Sequence, residues 1–155
     1  MSYLNVSSVI PANRKKVFDF LCDVRNWPKL VPNNYELRLI SPYMPVKKGA
    51  ELEFELKRFG VPQIWSVKID QFETDKFFVE RQTLGMFNSW TNSFEFEDHG
   101  PDGCKLSNLI RYEPILGLFG RIIDDLWTRK EIERVFVRGH ENLKNQLLTA
   151  TSRAH

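Results

Sequence analysis

The chain has 155 residues and a mass of 18.3 kDa, a length that favours one domain, because two would leave each half short of a core. With 42% hydrophobic and 27% charged residues it has an ordinary globular composition, which excludes disordered and fibrous classes. The 22 Lys and Arg against 20 Asp and Glu leave a net charge of +2, too little for a protein whose main task is to coat nucleic acid.

Residues 3–10 alternate weakly and read as a first strand. Pro11 follows where a first helical turn tolerates it, and Val17, Phe18, Phe20, Leu21 and Val24 then make an apolar stripe at helical spacing. That helix should stop before Trp27-Pro28, since a residue preceding proline is pushed out of the helical region. A short helical turn is expected near Trp27–Leu30, ending at Pro32.

From Tyr35 to Tyr112 the period changes to two. Leu37 and Leu39 open the region, and Leu52, Phe54 and Leu56 alternate with Glu51, Glu53, Glu55 and Lys57. Further runs carry Trp65, Val67 and Ile69; a stretch from Phe77; Trp90, Phe94 and Phe96; and Leu106, Ile110 and Tyr112. Gly49, Gly60-Val61-Pro62, Thr74-Asp75, Gly85 and Gly100-Pro101-Asp102-Gly103 punctuate them. Clean one-face alternation marks an antiparallel sheet with one wet face. Leu118 to about Leu148 then reads as one long helix, interrupted only by Gly139. One short helix pair, about seven strands and one long helix bury their apolar faces together only if the sheet curls around the long helix. The domain is placed at residues 1–150, with 151–155 as a disordered tail.

Such a curled sheet leaves a gap wherever side chains do not fill it, so polar residues at inward parity matter. Asn92 shares a face with Trp90, Phe94 and Phe96; Asn108 shares one with Leu106, Ile110 and Tyr112. Arg81 shares one with Phe77 and Val79, although Phe78 disturbs that parity. Burying an unpaired amide costs roughly 1–3 kcal/mol. The two asparagines therefore either bond to each other and fix strand register, or serve a ligand in a wet cavity. Arg129 and Glu133 stand four residues apart on the long helix, as a surface ion pair or with Arg129 turned to the cavity mouth to meet an acidic head group.

Cys22 and Cys104 are too few for a disulfide framework or a zinc site and read as small half-buried thiols in a reducing compartment. His99, His140 and His155 have no metal-ligand spacing, and His140 reads as a surface or helix-packing residue. No Gly-rich phosphate loop or serine nucleophile elbow is present. The N-terminal residues lack a basic region followed by an apolar run, and no apolar run approaches a membrane span. The expectation is a cytoplasmic protein without metal or cofactor, without nucleic acid as a partner and without stable membrane insertion.

Val9-Ile10-Pro11-Ala12, Val17-Phe18-Asp19-Phe20, Asp23…Asn26-Trp27, Leu30-Val31-Pro32, Met44…Gly49, Gly60-Val61-Pro62…Trp65…Ile69, Phe78-Val79-Glu80…Gln82…Gly85…Trp90…Phe96 and Tyr112…Pro114…Gly117 occur in an order that resembles the START-related helix-grip (SRPBCC) superfamily. The likeness is to its bacterial ligand-binding and polyketide cyclase/dehydrase-like branch. It implies an α+β, β-α-α-β6-α fold with an antiparallel sheet gripping the C-terminal helix over a hydrophobic cavity. Where that branch often has Trp-x-His, this chain has Trp90-Thr91-Asn92, and Asn108 replaces an acidic residue. Both departures exchange a titratable group for an amide and lower the expectation of acid–base chemistry.

The leading expectation is a non-catalytic binder of a small hydrophobic molecule (a lipid, isoprenoid, quinone or polyketide-like compound). Its walls would be Phe54, Trp65, Trp90, Phe94, Ile110 and the early helix face, including Ile122 and Leu126. Asn92, Asn108, Tyr112, Arg81 and Arg129 would meet the ligand's polar end. The rival is a polyketide cyclase or dehydratase in which Tyr112 or Arg81 polarises a carbonyl.

Overall fold

The computed structural model describes residues 1–115 and 127–153. In chain order its elements are β1 (Ser2–Ile10), α1 (Arg14–Cys22), a 3₁₀ helix (Val24–Lys29), β2 (Tyr35–Leu39), β3 (Glu51–Arg58), β4 (Val61–Glu73), β5 (Phe77–Leu84), β6 (Ser89–Asp98), β7 (Cys104–Glu113) and α2 (Arg129–Arg153). The strands form one antiparallel sheet in the order β1-β7-β6-β5-β4-β3-β2. This is the expected α+β helix grip, a curved sheet with the C-terminal helix in its concave face.

Local chemistry sets the first helices. Asn13 caps α1 by accepting the Lys16 N–H at 2.9 Å, and α1 buries Val17, Phe18 and Leu21 along one stripe. The next helical turn starts earlier than expected, at Val24, because the Asp23 side chain accepts the Arg25 N–H at 3.0 Å and caps it. The Trp27 indole N–H donates to the Leu21 carbonyl at 2.8 Å and pins the 3₁₀ helix against α1. At 1.5 Å per residue the 25 residues of α2 run about 38 Å. The expected start of this helix, at 118–126, lies outside the described residues. Its end at Arg153 falls inside the stretch expected to be an unstructured tail.

In β3, β6 and β7 the inward residues are those the alternation gives: Leu52, Phe54 and Leu56; Trp90, Asn92, Phe94 and Phe96; Leu106, Asn108, Ile110 and Tyr112. In β5 the parity is the reverse of the expected one. Phe78 and Glu80 are buried and Arg81 is exposed. The unbroken ladder to β6 explains it: Phe78 pairs with the inward Phe94 and Glu80 with the inward Asn92. On β4, Ile69 faces Glu80, the next pair is Gln71 with Val79, and Asp70 bulges between them. The bulge lets Val67, Ile69 and Phe72 all point inward, and Phe72 packs on Phe18 at 5.6 Å.

The core has two parts. One gathers Ile10, Phe18, Leu21, Phe78, Phe96, Leu106, Leu143 and Leu147; the other gathers Leu4, Val6, Trp90, Ile110, Tyr112 and Ile132. Cys22 and Cys104 are free, and burial pushes their thiols up to about 12 and about 11, so neither is a ready nucleophile.

Candidate functional site

Between the two apolar clusters each surrounding element contributes one polar side chain at the same level. They are Ser8 from β1, His140 from α2, Asn108 from β7, Asn92 from β6 and Glu80 from β5. Ser8 Oγ lies 2.5 Å from His140 Nδ1, and His140 Nε2 lies 2.6 Å from Asn108 Oδ1. Asn108 Nδ2 donates to Asn92 Oδ1 at 3.1 Å, and Asn92 Nδ2 donates to Glu80 Oε1 at 3.2 Å. An amide oxygen only accepts, so His140 carries its proton on Nε2. Its Nδ1 then accepts from Ser8. Every donor in the belt points towards Glu80.

Electrostatics follows from burial. Glu80 is pushed up to about 7 by desolvation, opposed by the Asn92 hydrogen bond and by the nearby indole N–H of Trp90. That indole lies beside the carboxyl without completing a well-aligned hydrogen bond. His140 is held down to about 4 by burial, reinforced by Lys144, and so is neutral at physiological pH.

The belt forms part of the wall of an inner chamber of about 150 Å³, between the sheet, the 3₁₀ helix and α2. Its remaining wall is apolar, with Trp27, Phe54, Trp65, Phe94, Phe136 and Leu143 prominent. An outer chamber of about 560 Å³ adjoins it, with Trp65, Val135 and Phe136 on the shared boundary. Tyr35, Arg58, Trp90 and Glu131 also line the outer chamber, and Met86, Ile115 and Trp127 stand exposed around it. The indole N–H groups of Trp65 and Trp90 are buried without a hydrogen-bond partner among the described residues.

The outer chamber is latched on one side. Glu131 of α2 accepts from Tyr35 Oη at 2.7 Å and from Arg134 Nη2 at 2.8 Å, with Arg58 Nη2 at 3.7 Å. These cations and the phenol hold its carboxyl down to about 2, Arg134 most strongly. The latch ties the free edge of the sheet, β2–β3, to the helix. Tyr35→Phe is expected to cost about 2 kcal/mol, the worth of a hydrogen bond to a charged group, which lowers Tm by about 4–8 °C at this chain length. Thermal unfolding checks it; Arg81→Ala, a surface change, should stay within about 0.5 kcal/mol.

Of the residues expected to form the site, Phe54, Trp65, Asn92, Phe94 and Asn108 line the inner chamber, and Trp65 and Trp90 line the outer one. Asn92 and Asn108 are tied to each other and to Glu80 and His140, the first of the two arrangements their burial allowed. Ile110 and Tyr112 are fully buried in the second cluster and line neither chamber. Arg81 lies on the outer face, held by Asp70 at 2.7 Å, because its strand turns Phe78 and Glu80 inward. Arg129 donates to the Tyr3 carbonyl at 2.6 Å and lines neither chamber; β1 takes its charge away from the mouth. Ile122 and Leu126 lie outside the described residues. His140, expected at the surface or in helix packing, is instead a buried member of the belt. It occupies the one vacant place in the stripe Phe136, His140, Leu143, Leu147, and that spacing was the available signal. Among the described residues no group of three His, Cys, Asp or Glu is placed to hold a metal.

The model of the family described as polyketide cyclase / dehydrase and lipid transport matches residues 10–135, from the end of β1 into α2. The chain belongs to this family. Solved structures share the helix grip of this SRPBCC-type protein. The protein TTHA0849 from Thermus thermophilus is 18% identical over 96% of this chain and 99% of its own, with a TM-score of 0.75. A START superfamily protein from Mycobacterium smegmatis is 15% identical over 94% and 98%, with a TM-score of 0.72. The di-domain ARO/CYC BexL from the BE-7585A biosynthetic pathway is 14% identical over 97% of this chain and 48% of its own, at 0.67. At such identities the likeness is one of fold. A comparison with curated proteins finds no match. Among the described residues no helix is long and apolar enough to cross a membrane.

Proposed function

We propose that the protein binds a small hydrophobic molecule in the paired chambers between sheet and α2. The observation that supports this most directly is the aromatic-walled inner chamber beside a larger one, with Trp65, Val135 and Phe136 lining both. The outer volume of about 560 Å³ lies in the range of small-molecule pockets, which are mostly apolar with a few placed polar groups. The inner volume of about 150 Å³ matches a dry cavity that accepts one benzene-sized ring. Native mass spectrometry of protein purified gently from its own cells is expected to show a bound organic species. Val135→Trp, which fills the boundary between the chambers, should remove it. Absence of any adduct in repeated preparations, together with no binding of apolar fluorescent probes, would overturn the reading.

A second reading, a polyketide cyclase or dehydratase acting in the same cavity, has one observation in its favour. Glu80 is a chamber-wall carboxyl poised near neutrality, the condition for general acid–base work. In that reading Glu80 takes the role first considered for Tyr112 and Arg81, since Tyr112 lines neither chamber and Arg81 lies on the outer face.

A further inference from the structure

We propose that the carboxyl of Glu80 anchors the inner end of the ligand by accepting a hydrogen bond from a hydroxyl on a flat aromatic ring, so that the ligand class is an otherwise apolar phenol. This rests on the cavity reading above and adds the chemistry of the ligand's inner end.

Shape is the first ground. Trp27 stacks on Phe54 with ring centroids 5.4 Å apart and planes 14° from parallel, and on Phe94 at 6.2 Å and 22°. All three rings line the inner chamber. Walls of near-parallel rings suit a planar guest, which offers its own face to them. The volume suits one ring and leaves the rest of the molecule to extend past Trp65 into the outer chamber.

Polarity is the second. Four hydrogen-bonding side chains line the chamber besides Trp27 and Trp65: Glu80, Asn92, Asn108 and His140. Three of them are committed to one another in a single direction. Glu80 stands at the accepting end, where Asn92 is the one side chain among the described residues that completes a hydrogen bond to it. An ionised carboxylate has about four lone-pair sites, so acceptor capacity remains on the wall. Trp27 N–H is already bonded to the Leu21 carbonyl. Of the two indole donors without a partner among the described residues, Trp65 N–H lies on the boundary with the outer chamber, and Trp90, beside Glu80, lines the outer chamber and not the inner one. The inner end therefore selects a guest that donates, and an acceptor on the guest is served further out.

Titration gives the handle for a test. Among the lining residues only Glu80 and His140 carry charge within the accessible range. His140, facing from α2, is neutral above about pH 4. From β4, Ile69 faces Glu80, while Asp70 pairs with Arg81 on the outer face. The other groups around it are uncharged: Asn92 and Trp90 from β6, and, lining the same chamber, Asn108 from β7, Phe54 from β3, and Leu21 and Trp27 from α1 and the 3₁₀ helix. A charge-assisted hydrogen bond is roughly twice as strong as a neutral one, so ionisation of Glu80 strengthens binding of a donor.

The probes are 2-naphthol and its methyl ether, 2-methoxynaphthalene, titrated by fluorescence against the full chain between pH 5 and pH 8. Affinity for 2-naphthol should rise about tenfold across this interval and the ether should show a flat profile, since a factor of ten is within what a hydrogen bond to a charged group supplies. Glu80→Gln should flatten the naphthol profile. Equal, pH-independent binding of both probes by the unmodified protein overturns this inference and leaves the cavity reading standing; so does tighter naphthol binding at low pH. Failure of both probes to bind overturns the cavity reading and this inference with it. The comparison of naphthol with ether needs no variant, so a poorly folding Glu80→Gln does not remove the test.

Discussion

Asn108→Ala is expected to destabilise the protein by about 4 kcal/mol. The side chain is 1% exposed and sits at the middle of the belt, accepting from His140 and donating to Asn92. Truncation leaves the His140 N–H and the Asn92 carbonyl oxygen without partners in a desolvated place. Each such orphan costs about 1–3 kcal/mol. A loss of this size lowers Tm by about 8–16 °C at this chain length. Ser8→Ala, at the end of the belt, removes one hydrogen bond from a half-buried group and should cost about 1 kcal/mol. Urea unfolding of the two variants reads the gradient along the belt. A cost below about 1 kcal/mol for Asn108→Ala would mean that water from the inner chamber replaces the amide, and the belt would not be a dry partition.

A core free of polar groups would avoid this vulnerability. Five elements each interrupt an apolar stripe at one level: Val6, Ser8, Ile10 on β1; Phe78, Glu80 on β5; Trp90, Asn92, Phe94 on β6; Leu106, Asn108, Ile110 on β7; and Phe136, His140, Leu143 on α2. Interruptions that meet in space and satisfy one another are a local departure from core rules, of the kind found where function has a claim on the structure. The belt faces a chamber rather than solid packing, which places that claim at the chamber wall.

Much of this arrangement is legible in the sequence. The alternation in β3, β6 and β7 identified the inward residues correctly, including both asparagines, because clean period-two patterns leave one parity. The parity of β5 was not legible. Phe77 and Phe78 are adjacent aromatics that support either face, and the choice is made by the register with β6, where Phe78 and Glu80 meet the inward Phe94 and Asn92. That reversal hid Glu80 and put Arg81 forward in its place. His140 was hidden differently: its position in the helical stripe was visible, but its partners lie on β1 and β7, more than thirty residues away in either case. Tyr112 and Arg129 lie off both chambers for a shared reason. Parity and spacing tell which face a residue is on, and give no sign of which stretch of that face is hollow.

The two titratable members of the belt should make opposite and nearly cancelling contributions to stability against pH, and separating them is the second large effect expected. Burial raises Glu80 from the usual value of 4.5 to about 7, so the folded protein holds this proton more tightly than the unfolded chain. Its contribution is fully present below pH 4.5 and is lost as pH rises through about 7. His140 is lowered from 6.5 to about 4, so its contribution is present above pH 6.5 and is lost as pH falls through about 4. Each group imposes a slope of about 1.4 kcal/mol per pH unit within its window, falling with pH for Glu80 and rising with pH for His140. Between about pH 4.5 and 6.5 the windows overlap and the slopes oppose, so the belt as a whole adds little pH dependence. Glu80→Gln keeps the acceptor for Asn92 and removes only the titration, which exposes the His140 slope. The variant should lose about 3 kcal/mol between pH 6.5 and 4.5 relative to the unmodified protein, and should exceed it in stability by about 3 kcal/mol at pH 8. His140→Gln should show the reverse slope, losing stability as pH rises from 4.5 to 7. Denaturant unfolding of the three proteins across pH 4.5–8 reads both slopes against the common background of the other carboxylates. Parallel curves for all three would show that neither group carries a perturbed proton, and with it would go the picture of a desolvated carboxyl poised beside an apolar chamber.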